Sequence, residues 1–303
     1  MVKGLPTFKR ETAKSEACIM GKQKRDPFPT ITWRANKCLQ LIHSDFCGPM
    51  ESSFGGCRYF LLFIDECTRM TWVYFLKAKS EAFEKIIYFK HLVENSTKER
   101  IATLRKDHGG KFTSNEFNDY CRNNGIKMQL TNSYTPQQNG VTERMNQTLM
   151  VMARSMLHFK GLSTKYWAEA VHTTIYLRNR SPTSALDGIT PYEAWYGTKP
   201  SINHLRIFCS TCYALVPKEQ RTKLENRSMK CILLGYSDEK KGYWLISNGK
   251  FIISRDVVFD ETESQTTEEI DHLLNHLENK VTQGKTVHHV EDMVASESIL
   301  FTL

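Results

Sequence analysis

The sequence has no apolar run long enough to cross a bilayer and no basic-then-apolar leader, so neither a membrane span nor a secretory signal is expected. It has no internal repeat at any fixed period, which excludes solenoid and propeller architectures. Cysteine is not scarce, at nine residues, but the number is odd and the positions are scattered, so no disulfide framework is legible. In a reducing intracellular compartment such thiols are small buried hydrophobes or idle groups. Acidic residues are the minority, 33 against 41 Lys and Arg, for a net charge of +8.

That charge is uneven. Residues 1–40 carry nine Lys/Arg against three Asp/Glu, whereas residues 261–303 carry two against nine. A basic body with an acidic tail suits a polyanionic partner such as nucleic acid. With 303 residues and 40% apolar composition, the chain has material for two or three modest domains.

Residues 1–37 are polar and basic and read as a linker or the end of a truncated module. Residues 38–46, CLQLIHSDF, form a short apolar run that closes on Asp45 and breaks at Gly48-Pro49, which predicts a strand delivering Asp45 at its end. YFLLFID (59–65) and MTWVYFL (70–76) predict a hairpin. Ser80 is expected to cap a helix buried through Ala82, Ile86, Phe89 and Val93. A strand over 101–104 runs into Arg105-Lys106-Asp107. Thr113 and Glu116 suggest a capping box, and 126–130 a fifth strand.

From Val141 the apolar residues Val141, Met145, Leu149, Met152 and Met156 recur at helical steps. Glu143 lies off that stripe in the first turn, with Asn146, Gln147, Met150 and Arg154 along another face. A carboxylate there is either a complement to the helix dipole or one leg of an active site. A further helix is expected over 166–179. The order predicts an α/β layer fold with an antiparallel front and a parallel back. From about Leu205 the period shortens to strands CYALV, CILLGY, GYWLIS and KFIISRDVVF, a small barrel-like β module with Asn248-Gly249 as a hairpin turn. The tail after 260 reads as acidic and mostly disordered.

Asp45, Asp107 and Glu143 each stand at the end of an element. If strands one and four are neighbours, their ends meet and a crossing helix brings in the third acid. Such a cluster repels itself unless cations hold it, and two divalent ions bridged by carboxylates suit the attacking and leaving oxygens of a phosphodiester.

The contexts HSDF, KDHGG and NGVTER, with 61 and 35 residues intervening, resemble the integrase core of copia-type LTR retrotransposon Pol polyproteins. The resemblance continues through Tyr134-Thr135-Pro136-Gln137-Gln138-Asn139-Gly140, Tyr166-Trp167-Ala168-Glu169-Ala170-Val171 and Asn179-Arg180-Ser181-Pro182-Thr183, and covers about residues 3–260. It implies an RNase H-like mixed five-stranded sheet over 38–200, an SH3-like β domain over 205–260 and an acidic tail over 261–303. It also implies a metal-dependent polynucleotidyl transferase that performs 3′-end processing and strand transfer of element DNA. Asp45, Asp107 and Glu143 would hold Mg²⁺ (or Mn²⁺), and Tyr134, Gln137 and Asn146 would flank the DNA end. DNA and further copies of the chain are the implied partners, with assembly in the cytoplasm and action in the nucleus. The alternative is a non-enzymatic, decayed or co-opted DNA- or chromatin-binding remnant.

The resemblance also has gaps. Upstream, Ser15-Glu16-Ala17-Cys18 lacks the first cysteine of the family's zinc pair, so no zinc is expected. His108 after Asp107 reads as a solvent-facing turn residue, and Cys209-x2-Cys212 as incidental.

Overall fold

The computed structural model describes residues 34–106, 115–130, 140–237, 240–247 and 250–261. Three aromatic and β-branched stretches form β1 (Ile42–Cys47), β2 (Tyr59–Asp65) and β3 (Thr71–Leu76). They pair antiparallel, with Asp45 opposite Leu62 and Leu62 opposite Val73. On the other side of β1 lies β4 (Thr103–Lys106), parallel to it, followed by parallel β5 (Lys127–Leu130). The first sheet therefore has the order β3-β2-β1-β4-β5.

Alternation sorts the side chains of this sheet between two helical layers. Leu61, Phe63, Trp72 and Tyr74 join one core with α1 (Ala82–Thr97) and α2 (Asn115–Asn123). Phe60, Leu62, Val73 and Phe75 join another with α3 (Gly140–Phe159) and α4 (Trp167–Asn179). Each fully buried large apolar side chain contributes roughly 1.5–3 kcal/mol, so stacked pairs such as Phe63 and Phe89, 4.0 Å apart, weigh heavily. The far end of α4 is pinned where Asn179 Oδ1 accepts from Thr71 N at 3.1 Å and its Nδ2 donates to Thr71 O at 2.8 Å.

Two local expectations shift. Ser80 sits in a 3₁₀ turn (Lys79–Glu81), and α1 starts after Glu81 with no side-chain cap, because that turn already supplies the helix entry. On α3 the buried stripe runs through Leu149, Ala153 and Leu157, with Val141, Met145 and Met156 packed beside it. Met152 is only half-buried: the small Ala153 lets the helix approach its neighbours, so the stripe turns toward it.

After α5 (Pro191–Tyr196), capped by Thr190 Oγ1 accepting from Glu193 N at 3.0 Å, comes an antiparallel sheet. Its strands are β6 (Thr211–Leu215), β7 (Ser228–Ser237), β8 (Gly242–Ser247), β9 (Lys250–Ser254) and β10 (Val257–Asp260), in the order β10-β6-β7-β8-β9. Ser247 faces Lys250 across the Asn248-Gly249 link, whose own residues lie outside the described ones. The run 250–259, expected as one strand, divides at Arg255-Asp256, and its second half crosses to pair with β6. Both edge strands contribute to one small core (Cys212, Cys231, Leu233 and Leu245, with Ile252 and Val257), so the sheet curls on itself.

The opposite face of this sheet joins the core of the first. Ile232, Leu234, Trp244 and Ile246 pack with Trp167, Val171 and Ile175 of α4. Tyr176 stacks on Tyr236 at 4.4 Å, and Thr173 Oγ1 donates to Leu234 O at 3.3 Å. Cys209 belongs to that shared core and Cys212 to the small one.

Candidate active site

Asp45 lies near the end of β1, in the middle of the sheet, and Gly48 turns the chain away three residues on. That turn needs glycine: φ is +121°, and a Cβ would meet Arg58 O at 2.6 Å. Because Leu62 is Asp45's partner and belongs to the α3/α4 core, the Asp45 side chain stands on the face that α3 covers. Parallel β4 ends beside it, with Lys106 opposite Ser44, the residue before Asp45. Asp107 follows Lys106 in the chain and lies outside the described residues.

The first turns of α3 close the arrangement from above. Asn146 Nδ2 donates to Asp45 Oδ2 at 2.8 Å, a bond spanning 101 residues of sequence, while Phe46 N donates to Asp45 Oδ1 at 2.9 Å. A hydrogen bond to a charged group contributes on the order of 1.5–3 kcal/mol, enough to fix the helix over the strand end. Glu143 precedes Asn146 by three residues, less than one turn and about 4.5 Å of rise. Its carboxylate is exposed on the same side of α3. Asn146 Oδ1 is buried and has no hydrogen-bond partner. The helix turn that carries Glu143 and Asn146 is thus seated over the end of the central strand β1.

Behind Asp45 the same face carries His43, buried to 1% exposure. Burial holds its imidazole below the ordinary range, so it is neutral, and its Nε2–H donates to Glu66 Oε2 at 2.7 Å. Burial pushes Glu66 upward, but the bond from His43 and the charge of Arg69, whose Nη2 lies 2.9 Å from Oε1, outweigh it and keep the carboxylate ionised. Across β4, Arg105 stands opposite His43 and donates to Gln129 Oε1 on β5 from Nε at 3.1 Å and from Nη2 at 2.9 Å.

Of the residues singled out in the sequence, Asp45 and Asn146 meet here and Glu143 stands one turn before Asn146 on α3, while Asp107, Tyr134, Gln137 and His108 lie outside the described residues. Among the described residues no group of three His, Cys, Asp or Glu side chains converges as a metal site. The engagement of Asn146 with Asp45 was not foreseeable from spacing. Nor was the His43–Glu66–Arg69 cluster, although His43 stands two residues from Asp45 and so shares its face of a strand.

Residues 35–136 match the integrase core domain, and residues 210–272 match the retroviral polymerase SH3-like domain. The chain is 46% identical over 252 residues to the retrovirus-related Pol polyprotein from transposon TNT 1-94 of Nicotiana tabacum, covering 82% of this chain and 19% of that protein. The Pol polyproteins from transposons RE2 and RE1 of Arabidopsis thaliana are 35% and 33% identical over 246 residues, each covering 80% of this chain and 17% of the relative. The chain therefore spans about a fifth of the length of these relatives. A solved simian T-cell lymphotropic virus intasome, in complex with the PP2A regulatory subunit B56 gamma, shares the fold with a TM-score of 0.50 at 15% identity over 81% of this chain and 87% of that one. By its domains and its relatives, this chain belongs to the integrase region of copia-type retrotransposon Pol polyproteins.

Proposed function

We propose that the chain is a metal-dependent DNA polynucleotidyl transferase that trims the 3′ ends of element DNA and joins them to target DNA. The observation that carries this reading is the Asn146–Asp45 bond, which seats the Glu143 turn of α3 over the end of β1. Asp107, Tyr134 and Gln137 enter as proposals from resemblance, Asp107 as the third acid and the other two as contacts for a frayed DNA end.

The donor set fits hard divalent cations. Its described members are the carboxylate oxygens of Asp45 and Glu143, with the unpaired Asn146 Oδ1 at Asp45, all hard oxygen donors. Asp45, Asp107 and Glu143 would hold Mg²⁺ or Mn²⁺, which would lower the pKa of an attacking hydroxyl and stabilise the departing oxygen. The chain's own part is to aim these carboxylates: β1 and α3 supply rigid backbone, and Asn146 limits rotation of Asp45. The net charge of +8 favours the DNA backbone, and no described helix is long and apolar enough to cross a membrane. We further propose that the chain works as a homo-oligomer on DNA in the nucleus after assembly in the cytoplasm.

The test is the full chain with a branched DNA oligonucleotide and Mg²⁺ or Mn²⁺. Strand release that disappears in Asp45→Asn and Asp107→Asn supports the reading. Salt-sensitive DNA binding with no cleavage, unchanged by either substitution, replaces it with a non-enzymatic DNA- or chromatin-binding role.

A further inference from the structure

The sheet end toward which β1 carries Asp45 also holds three cations that the proposed site does not use. Register aligns Cys47 of β1 with Phe60 of β2, and Phe60 with Phe75 of β3, so the chain enters β2 and leaves β3 at that same end. Arg58 enters β2 there, its N–H donating to Leu76 O at 2.9 Å, and Lys77 follows the last residue of β3. Lys79 comes two residues later, in the 3₁₀ turn. All three are exposed, and none makes an ion pair with a described residue. The carboxylate of Glu81 is turned to the backbone instead, Oε2 accepting from Lys77 N at 3.0 Å.

Lys79 is exposed and yet seated. Its Nζ lies 5.4 Å from the centre of the Tyr59 ring and 5.9 Å from that of Phe46, within reach of the attraction between an ammonium and an aromatic face. Phe46 is the residue after Asp45, and its N–H donates to Asp45 Oδ1 at 2.9 Å. One residue therefore steadies the carboxylate with its backbone and the ammonium with its ring. The rings hold the ammonium without neutralising it. Three like charges at one sheet end repel one another, and an external polyanion relieves that repulsion. The phosphodiester backbone of DNA fits, because this surface adjoins a carboxylate proposed to act on that backbone.

We propose that Lys79, seated on Phe46 and Tyr59 and flanked by Arg58 and Lys77, binds a DNA backbone phosphate beside the reacting one. This rests on the integrase-type reading of the site. The ammonium donates to phosphate oxygen and fixes where the strand lies, reading no base.

The test follows binding of the full chain to a branched DNA oligonucleotide by fluorescence anisotropy over a salt series without divalent metal, and strand release after Mn²⁺ is added. Lys79→Gln is expected to lower the slope of log affinity against log salt by about 0.9, which amounts to roughly tenfold in affinity at about 50 mM salt. The loss should be equal on oligonucleotides of unrelated sequence, and Lys79→Arg should keep the wild-type slope. Tyr59→Leu, which removes the ring and keeps an apolar side chain, is expected to weaken binding in the wild type and to add nothing in Lys79→Gln. Lys98→Asn removes the same charge at the left-handed C-cap of α1, about 24 Å of helix away, and should leave the slope unchanged. A wild-type slope in Lys79→Gln, an equal loss in Lys98→Asn, or a Tyr59→Leu loss undiminished in Lys79→Gln overturns the proposal. If the wild type still releases strands and Asp45→Asn does not, the integrase-type reading survives that failure. A wild-type chain that binds no DNA overturns both.

Discussion

Two glutamates occupy the first turns of successive helices and end in opposite states. Glu143 of α3 is exposed, one turn before the Asn146 that bonds Asp45. Glu169 of α4 is buried to 1%, and neither carboxylate oxygen has a hydrogen-bond partner. The helix-end field is favourable to both, so position in a helix does not decide what such a residue does. Surroundings decide. One step per helical turn places Glu169 on the side of α4 that carries Thr173 and Tyr176, which both meet β7. Burial there pushes its carboxyl up to about 7.

The largest expected effect separates the pair by chemistry. Glu143→Gln should lower DNA joining by about a thousandfold, because a lost metal ligand removes several kcal/mol of transition-state stabilisation. Its denaturation midpoint should stay within roughly 0.5 kcal/mol of wild type, as for other exposed sites. A large stability loss with intact activity would erase the contrast. The rates in matched Mg²⁺ titrations decide it.

Glu169 should show the reverse, a stability effect that follows pH. Its folded pKa, about 7, lies above the ordinary 4.5, so the folded state holds the proton more tightly. The stabilisation is fully present below about pH 4.5 and is lost as pH rises through about 7. In Glu169→Gln that dependence should vanish, leaving the variant more stable than wild type by roughly 3 kcal/mol at pH 8.5 and equal to it at pH 4.5. Urea denaturation at the two pH values reads this directly, and superimposable pH profiles would remove the burial argument.

The smallest effect belongs to Asn146. Asn146→Ala removes the amide bond to Asp45 Oδ2 and should cost about tenfold in metal affinity. DNA affinity and its salt slope should barely change, since the amide is turned toward Asp45 rather than outward. A drop in DNA affinity with metal binding intact would return Asn146 to the DNA-contact role that resemblance gives it.

Much of this molecule was legible before its structure. YFLLFID and MTWVYFL carry β-branched and aromatic residues bounded by turn residues, and they are the hairpin β2–β3. The α/β order and the short-strand module also follow from period alone. Long-range choices did not. The strand break at Arg255-Asp256 is invisible because KFIIS and VVFD have the same β preference, and only pairing with β6 divides them. The Asn146–Asp45 bond joins residues 101 apart, and no local pattern encodes such a partner. Glu169 reads in sequence as a helix-start acid like Glu143, because burial by a later sheet leaves no trace near residue 169.

The core shared by α4 and β7 bears on inheritance. Trp167, Val171 and Ile175 pack in one buried core with Ile232, Leu234 and Trp244. A polypeptide ending before Thr211 would turn that wall toward solvent and clump. A terminal sheet exchanged between two such chains would therefore have to bring an apolar face that matches α4.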